Sequence, residues 1–87
     1  MFSVYILYSI AFQKSYVGQT NDLQKRLLEH NAIDNKGFTS KYKPWILVYS
    51  ENFENRADAM KSEKYFKTGI GREKLKGIIT EFLKLSQ

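Results

Sequence analysis

Cysteine is absent from this chain of 87 residues, which excludes a disulfide scaffold and any thiolate zinc site. Histidine occurs once, as His30. Zinc would have to be held by one imidazole plus carboxylates, a set it seldom uses, so any metal is expected to be a hard cation on oxygen ligands, such as Mg²⁺. Proline also occurs once, as Pro44, and there are no repeats, low-complexity segments or linkers. No apolar run approaches the ~20 residues of a membrane span. The apolar start, "MFSVYILYS", has no basic flank, alternates like a strand and is too short for a signal peptide. The expectations are no membrane association and a cytoplasmic location.

Aromatic and cationic side chains are what the chain has in quantity. Aromatics reach 15% and tyrosines number six, more than a minimal core needs. Fourteen Lys+Arg against nine Asp+Glu give a net charge of +5, which favours a polyanionic partner, nucleic acid before a membrane surface. Eleven of those cations are lysines scattered along the chain, and such scatter equally suits plain solubility. A hydrophobic fraction of 43% with 26% charge is ordinary for a globular protein and argues against disorder. The length fits one domain over residues 1–87.

Periodicity predicts the elements. Residues 2–9 read as a strand, with Val4, Ile6 and Tyr8 alternating with Tyr5, Leu7 and Ser9, apolar on both faces. Residues 10–14 form a short connection and residues 15–18 a second strand, so a hairpin is expected. Asn21 can cap the helix that follows, Gln24 can close a capping box, and Asp22 suits the positive end of its dipole. Residues 32–44 read as a polar, basic loop, and "WILVYSENF" as a third, buried strand. Asn55 can cap a second helix running to about Thr68. From Arg72 to Leu85, Leu75, Ile78, Ile79, Phe82 and Leu83 recur at helical spacing and mark a core-facing helix. The order β-β-α-β-α-α predicts an α+β fold, a small antiparallel sheet with helices packed on it.

Two helices carry residues that break the local pattern. At about 100° per residue, Leu23 and Leu27 mark the buried stripe of the first helix, and Arg26 and His30 lie at its edge. Either they are surface residues, Arg26 covering apolar area, or they stand at a cleft margin. On the second helix Ala59, Phe66 and Ile70 share a face, with Met60 at its margin, and Glu63 falls inside that arc. A carboxylate there is costly unless paired or bound to a metal; a salt bridge, with Arg26 as one candidate partner, and a metal ligand are the two readings. Phosphodiester hydrolysis needs a base for water and positive charge on the developing phosphorane. Glu63 with Mg²⁺, Arg26, and Tyr5 or Tyr16 supply such a set. A tyrosine base needs a neighbouring cation to lose its proton, its free pKa being ~10.

The blocks "SVYIL", "YVG", "TNDLQKRLLEHN", "WILVYSE" and "DAMKSEKYFK", in that order, resemble the GIY-YIG nuclease family. The likeness is to its small stand-alone branch, akin to the catalytic domain of the bacterial excinuclease C subunit. The resemblance implies a three-stranded antiparallel sheet flanked by helices and a DNA endonuclease using Mg²⁺ or Mn²⁺, with a link to DNA repair. By motif position, Tyr5 and Tyr16 match the signature tyrosines, one of them a base or water-orienting group, and Gly18 matches the glycine that lets the backbone turn. Arg26 matches the phosphate-stabilising arginine and Glu63 the metal-binding carboxylate. His30 falls where histidine or tyrosine stands near the attacking water, and Lys67 matches a helix lysine suited to a DNA contact. Gln19 stands where the excinuclease branch often has lysine, and Ser3 replaces the first signature glycine. The substrate expected is branched, damaged or otherwise structured DNA, cut structure-selectively or with weak specificity. With no second DNA-binding domain in the chain, an accessory DNA-binding protein would choose the site.

An alternative is a non-catalytic nucleic-acid-binding module with a degenerate site. It rests on the net charge and on Lys36, Lys41 and Lys43 beside Tyr42 and Trp45, since aromatics among cations suit stacking on single strands. Against that, Trp45 at a strand start reads equally as core.

Overall fold

The architecture was determined from a computed structural model, which describes residues 1–32 and 37–86. Strand β1 (Phe2–Ser9) is the middle strand of a three-stranded antiparallel sheet. β2 (Lys14–Thr20) and β3 (Ile46–Phe53) lie on either side of it. The chain order is β-β-α-β-α-α, as the periodicity predicts. The second strand is longer than the expected residues 15–18. The register pairs Tyr5 with Gly18 and Leu7 with Tyr16, so Lys14 and Thr20 still lie opposite β1 residues at the two ends.

A central strand covered on both faces explains why β1 is apolar on both. One face packs Val4, Ile6 and Val17 against Ala59 of helix α2 (Arg56–Tyr65), its C-cap Phe66, and Leu75 of helix α3 (Gly69–Leu85). The other packs Tyr5 and Leu7 against Trp45 and against Leu23 and Leu27 of helix α1 (Leu23–Asn31). A register shift between β1 and β3 falls at Ile6/Leu7, opposite Tyr49 and Leu47. The extra residue lets consecutive Val48 and Tyr49 both pack on the first core while Leu47 serves the second.

Several expected boundaries move, each for a local reason. α1 is capped by Asp22, not Asn21: its carboxylate accepts the Lys25 N–H at 3.2 Å. The Thr20 hydroxyl accepts the Asp22 N–H at 3.1 Å, which places Asp22, one residue later, at the helix start. α2 has the expected Asn55 cap, its side chain accepting the Asp58 N–H at 2.9 Å, but it ends at Tyr65. Thr68 then starts a new helix by accepting the Gly71 N–H at 3.1 Å. The elbow is tight enough that a Cβ on Gly71 would collide with the Tyr65 carbonyl oxygen. That break in periodicity puts Ile70, read above as sharing a face with Phe66, out in water at 77% exposure. The polar loop also contains a one-turn 3₁₀ helix, Phe38–Lys41; Lys36 lies outside the described residues. Among the described residues no helix is long and apolar enough to cross a membrane.

Phe66 and Ile70 therefore make a matched test. Phe66→Ala should destabilise the fold by about 3 kcal/mol or more, the usual result of emptying a buried aromatic site. Ile70→Ala should change stability by less than about 0.5 kcal/mol. Urea unfolding of both variants reads the difference.

Candidate active site

Tyr5 and Gly18 face each other across the β1–β2 ladder, and their pairing shapes the floor of the site. Gly18 does not turn the chain: it lies within β2, and no glycine among the described residues has positive φ. Its role is to leave room. A Cβ there would stand 2.6 Å from the Tyr5 hydroxyl oxygen and 2.7 Å from its Cζ, so only a residue without a side chain lets the Tyr5 ring lie across the strand. The ring is 1% exposed, and a phenol that deep needs partners for its hydroxyl.

α1 supplies them. His30, 4% exposed, brings Nε2 to 2.9 Å from the Tyr5 hydroxyl. Arg26, one helical turn earlier, is close enough for its charge to act on that oxygen. His30 Nδ1 stands 2.9 Å from the Thr39 hydroxyl, so the imidazole bridges two hydroxyls, and its tautomer sets the direction of both hydrogen bonds together. Thr39 is held in turn, because its carbonyl accepts the Trp45 indole N–H at 2.8 Å. The Asn31 side chain clamps the Trp45 backbone, accepting its N–H at 2.6 Å and donating to its carbonyl at 3.0 Å. The sequence reading missed Thr39 entirely. It is one hydroxyl in a polar loop, and no spacing marks it.

Electrostatics keep the couple neutral at rest. Burial first, then the neighbouring Tyr16, push the Tyr5 pKa up to about 12; Arg26 pulls against them and Glu63 adds to the rise. Burial, then the Arg26 charge, lower the His30 pKa from its ordinary 6.5, against a weaker upward pull from Glu29. Arg26 also pairs with Glu29 at 3.3 Å.

Tyr5, Tyr16, Arg26 and His30 thus converge on the α1 face of the sheet. A cleft of about 240 Å³ opens there, walled by Tyr16, Arg26, His30, Phe38 and Thr39. The Tyr16 ring lies 4.9 Å from the imidazole, and its hydroxyl makes no hydrogen bond within the described residues. Glu63 does not line this cleft; it sits half-buried on α2, holding the Lys67 ammonium at 2.8 Å. That is the salt bridge expected for it, with Lys67 in place of Arg26. Lys67 also borders a second cleft, about 380 Å³, which shares Tyr16 with the first. Lys41 is exposed on the 3₁₀ turn, whereas Lys43 donates to the Ala32 carbonyl at 2.8 Å and ties that loop to the end of α1. Trp45 is core, 3% exposed, and offers no face for stacking.

The hairpin thus brings Tyr5 and Tyr16 close to Gly18, with Arg26 and His30 of the next helix beside them. The chain belongs to the GIY-YIG catalytic domain family, which it matches over residues 1–76. It is 40% identical over 77 residues to the UPF0213 protein in the ldhD 5' region of Pediococcus acidilactici, covering 86% of this chain and 78% of that one. It is 41% identical over 75 residues to the UPF0213 protein of Lactococcus lactis subsp. cremoris (strain SK11), covering 85% and 76% respectively. The UPF0213 protein of Bacillus pumilus (strain SAFR-032) is 42% identical over 59 residues, covering 68% of this chain and 60% of its own length.

Two outcomes follow from this geometry. The unfolded chain takes up a proton at His30 near pH 6.5 that the folded chain does not, so stability should fall as pH drops below about 6.5. Above that, His30 is neutral in both states and adds no slope. The lone imidazole gives a single Cε1–H resonance, whose midpoint in the folded protein should lie below 6.5; a midpoint at or above it would refute the neutral couple. Gly18→Ala should cost about 1–3 kcal/mol, the usual penalty for overpacking, measured by urea unfolding, with the Tyr5 ring driven off His30.

Proposed function

We propose that this protein is a divalent-cation-dependent endonuclease that hydrolyses DNA phosphodiester bonds, structure-selectively or with weak sequence specificity. The observation that carries this reading is the hydrogen-bonded chain Tyr5–His30–Thr39, a neutral couple beside an open cleft with the Arg26 charge acting on it. Tyr16, with its hydroxyl unengaged, directs the attacking water. Tyr5 and His30, joined by their hydrogen bond, form the couple that takes the proton of that water, with His30 at the cleft wall. Arg26 meets the charge that develops on the phosphorane, the usual role of a preorganised cation.

Glu63 is the residue that would hold the cation. The described residues contain no cluster of three metal-ligating side chains. One carboxylate, with water and substrate phosphate completing the shell, is a mode that Mg²⁺ and Mn²⁺ accept. A monocation, the Lys67 ammonium, already occupies that carboxylate at 2.8 Å, so the position suits positive charge. Bound there, a divalent cation supplies Lewis-acid neutralisation of the scissile phosphate. With Glu63 neutralised, one of the charges that raises the Tyr5 pKa is removed. Lys67, released, is available to a DNA phosphate, as is the exposed Lys41 on the loop side. DNA is the partner, with any finer choice of site left to an accessory DNA-binding protein.

The same ion pair favours a second reading, a nucleic-acid-binding module in which Lys67 permanently closes the cation position. The two separate on cleavage. Purified protein with Mg²⁺ or Mn²⁺ should nick plasmid or branched DNA. Glu63→Gln, Arg26→Ala and Tyr5→Phe should each reduce the rate by roughly 100-fold or more. Undiminished cutting by Glu63→Gln would sink the cation assignment. Binding that persists in EDTA, with no cleavage of any DNA under any divalent cation, would establish the second reading.

A further inference from the structure

Beside the cleft, three aromatic side chains from distant parts of the chain meet at the surface. Phe12 comes from the loop between β1 and β2, which closes through Gln13 at φ 53°. Phe38 opens the 3₁₀ turn, and Tyr42 stands between them. The ring centroids of Phe12 and Tyr42 are 5.6 Å apart, edge to face, and those of Phe38 and Tyr42 are 5.2 Å apart. Despite that contact Phe12 is 50% exposed and Phe38 58%. Other exposed apolar residues, such as Leu28, Ile70 and Leu85, stand singly on helix surfaces and need no explanation. Two phenylalanines left half in water, one on either side of a tyrosine, form a patch of the kind that marks an interaction site.

The setting of the patch selects its occupant. The Lys14 ammonium lies 5.6 Å from the Tyr42 ring centroid, and Lys41 is exposed on the same turn as Phe38. Aromatic faces among ammonium groups are the composition that single-stranded nucleic acid requires, bases on rings and phosphates on cations. The patch is also continuous with the site described above. Phe38 walls the 240 Å³ cleft together with Arg26 and His30. A nucleotide whose phosphate meets Arg26 therefore has its base beside Phe38. A base still paired and stacked in a duplex has no free face to offer, so only an unpaired one can use that ring.

We propose that Phe38, backed by Tyr42 and Phe12, is a stacking platform for unpaired bases adjoining the phosphate in the Arg26–His30 cleft, with Lys14 and Lys41 holding the flanking phosphates. The location of the scissile phosphate rests on the nuclease reading; the platform itself does not require cleavage. It makes unpaired nucleotides at the cut, as in single strands, flaps or loops, the structural feature that the protein selects.

The test is fluorescence anisotropy of the full chain in EDTA, with a labelled short oligothymidylate and a blunt hairpin duplex as probes. The wild-type chain should favour oligothymidylate. Phe38→Ala and Phe12→Ala should each weaken that binding by roughly tenfold, with less than about a twofold change for the duplex. Phe38→Trp should restore single-strand binding, and Leu28→Ala, another exposed apolar residue, should have no effect. Thermal unfolding checks that each variant is folded; both phenylalanines are exposed, so native melting is expected, and Phe38→Trp carries the test if an alanine variant melts early. Equal affinity for duplex and single strand, or unchanged oligothymidylate binding by Phe38→Ala, overturns the proposal. So does self-association in sedimentation that Phe38→Ala abolishes while oligonucleotide binding stays intact, since the patch would then be an interface between copies. Failure of the nuclease reading is separately visible, as absent cleavage with single-strand binding and its Phe38 dependence retained.

Discussion

The hydroxyl of Tyr5 is buried in the middle of the sheet, and it cannot be left there unsatisfied. An unpartnered phenol in that environment would cost about 1–3 kcal/mol, a sizeable part of the stability of so small a domain. His30 Nε2 satisfies it, and that requirement sets the position of α1 over the sheet. His30 in turn needs a partner for its second nitrogen and finds it in Thr39, which docks the 3₁₀ turn against the helix. Trp45 and Asn31 complete the chain of contacts by fixing Thr39 and the start of β3. One buried oxygen thus organises the α1 side of the molecule, and Gly18 permits it by carrying no side chain.

The same burial that demands those partners sets the resting chemistry. Desolvation favours the neutral form of both Tyr5 and His30, raising one pKa and lowering the other. The charges that act on this couple are each paired locally. Arg26 is held by Glu29 on its own helix, and Glu63 of α2 by Lys67 just beyond that helix's end. Arg26 and Glu63 are nonetheless both felt at Tyr5.

Most of the secondary structure was legible because it follows from local pattern. Two-sided apolar alternation marked β1 as a strand with two apolar faces, and the Asn55 cap marked the start of α2. The third strand, read as buried, instead lies at the sheet edge with no buried residue. The misread boundaries sit where hydrogen bonds of single side chains compete. Asn21 and Asp22 are both good caps, and the Thr20 hydroxyl decided between them. Ile70 continued the helical spacing of Ala59 and Phe66, and no spacing can show that Thr68 interrupts it. Glu63 was legible as an anomaly, a carboxylate inside an apolar arc, but its partner was not. Arg26 and Lys67 were both available by charge, and only the i, i+4 geometry of a continuous α2–elbow segment brings Lys67 within 2.8 Å.

By itself the sequence determined the elements, their order, the two apolar faces of β1 and, through its ordered motifs, the family. These depend on short-range periodicity and on residue identities that survive without coordinates. The tertiary structure alone decided what the site residues do to one another. It turned Gly18 from a hinge into a space for the Tyr5 ring, took Trp45 out of the surface, and brought in Thr39 as the group that orients His30. It also assembled Phe12, Phe38 and Tyr42 into one exposed patch. Those relations join residues far apart in the chain, and burial and hydrogen-bond geometry across such distances have no counterpart in local sequence pattern.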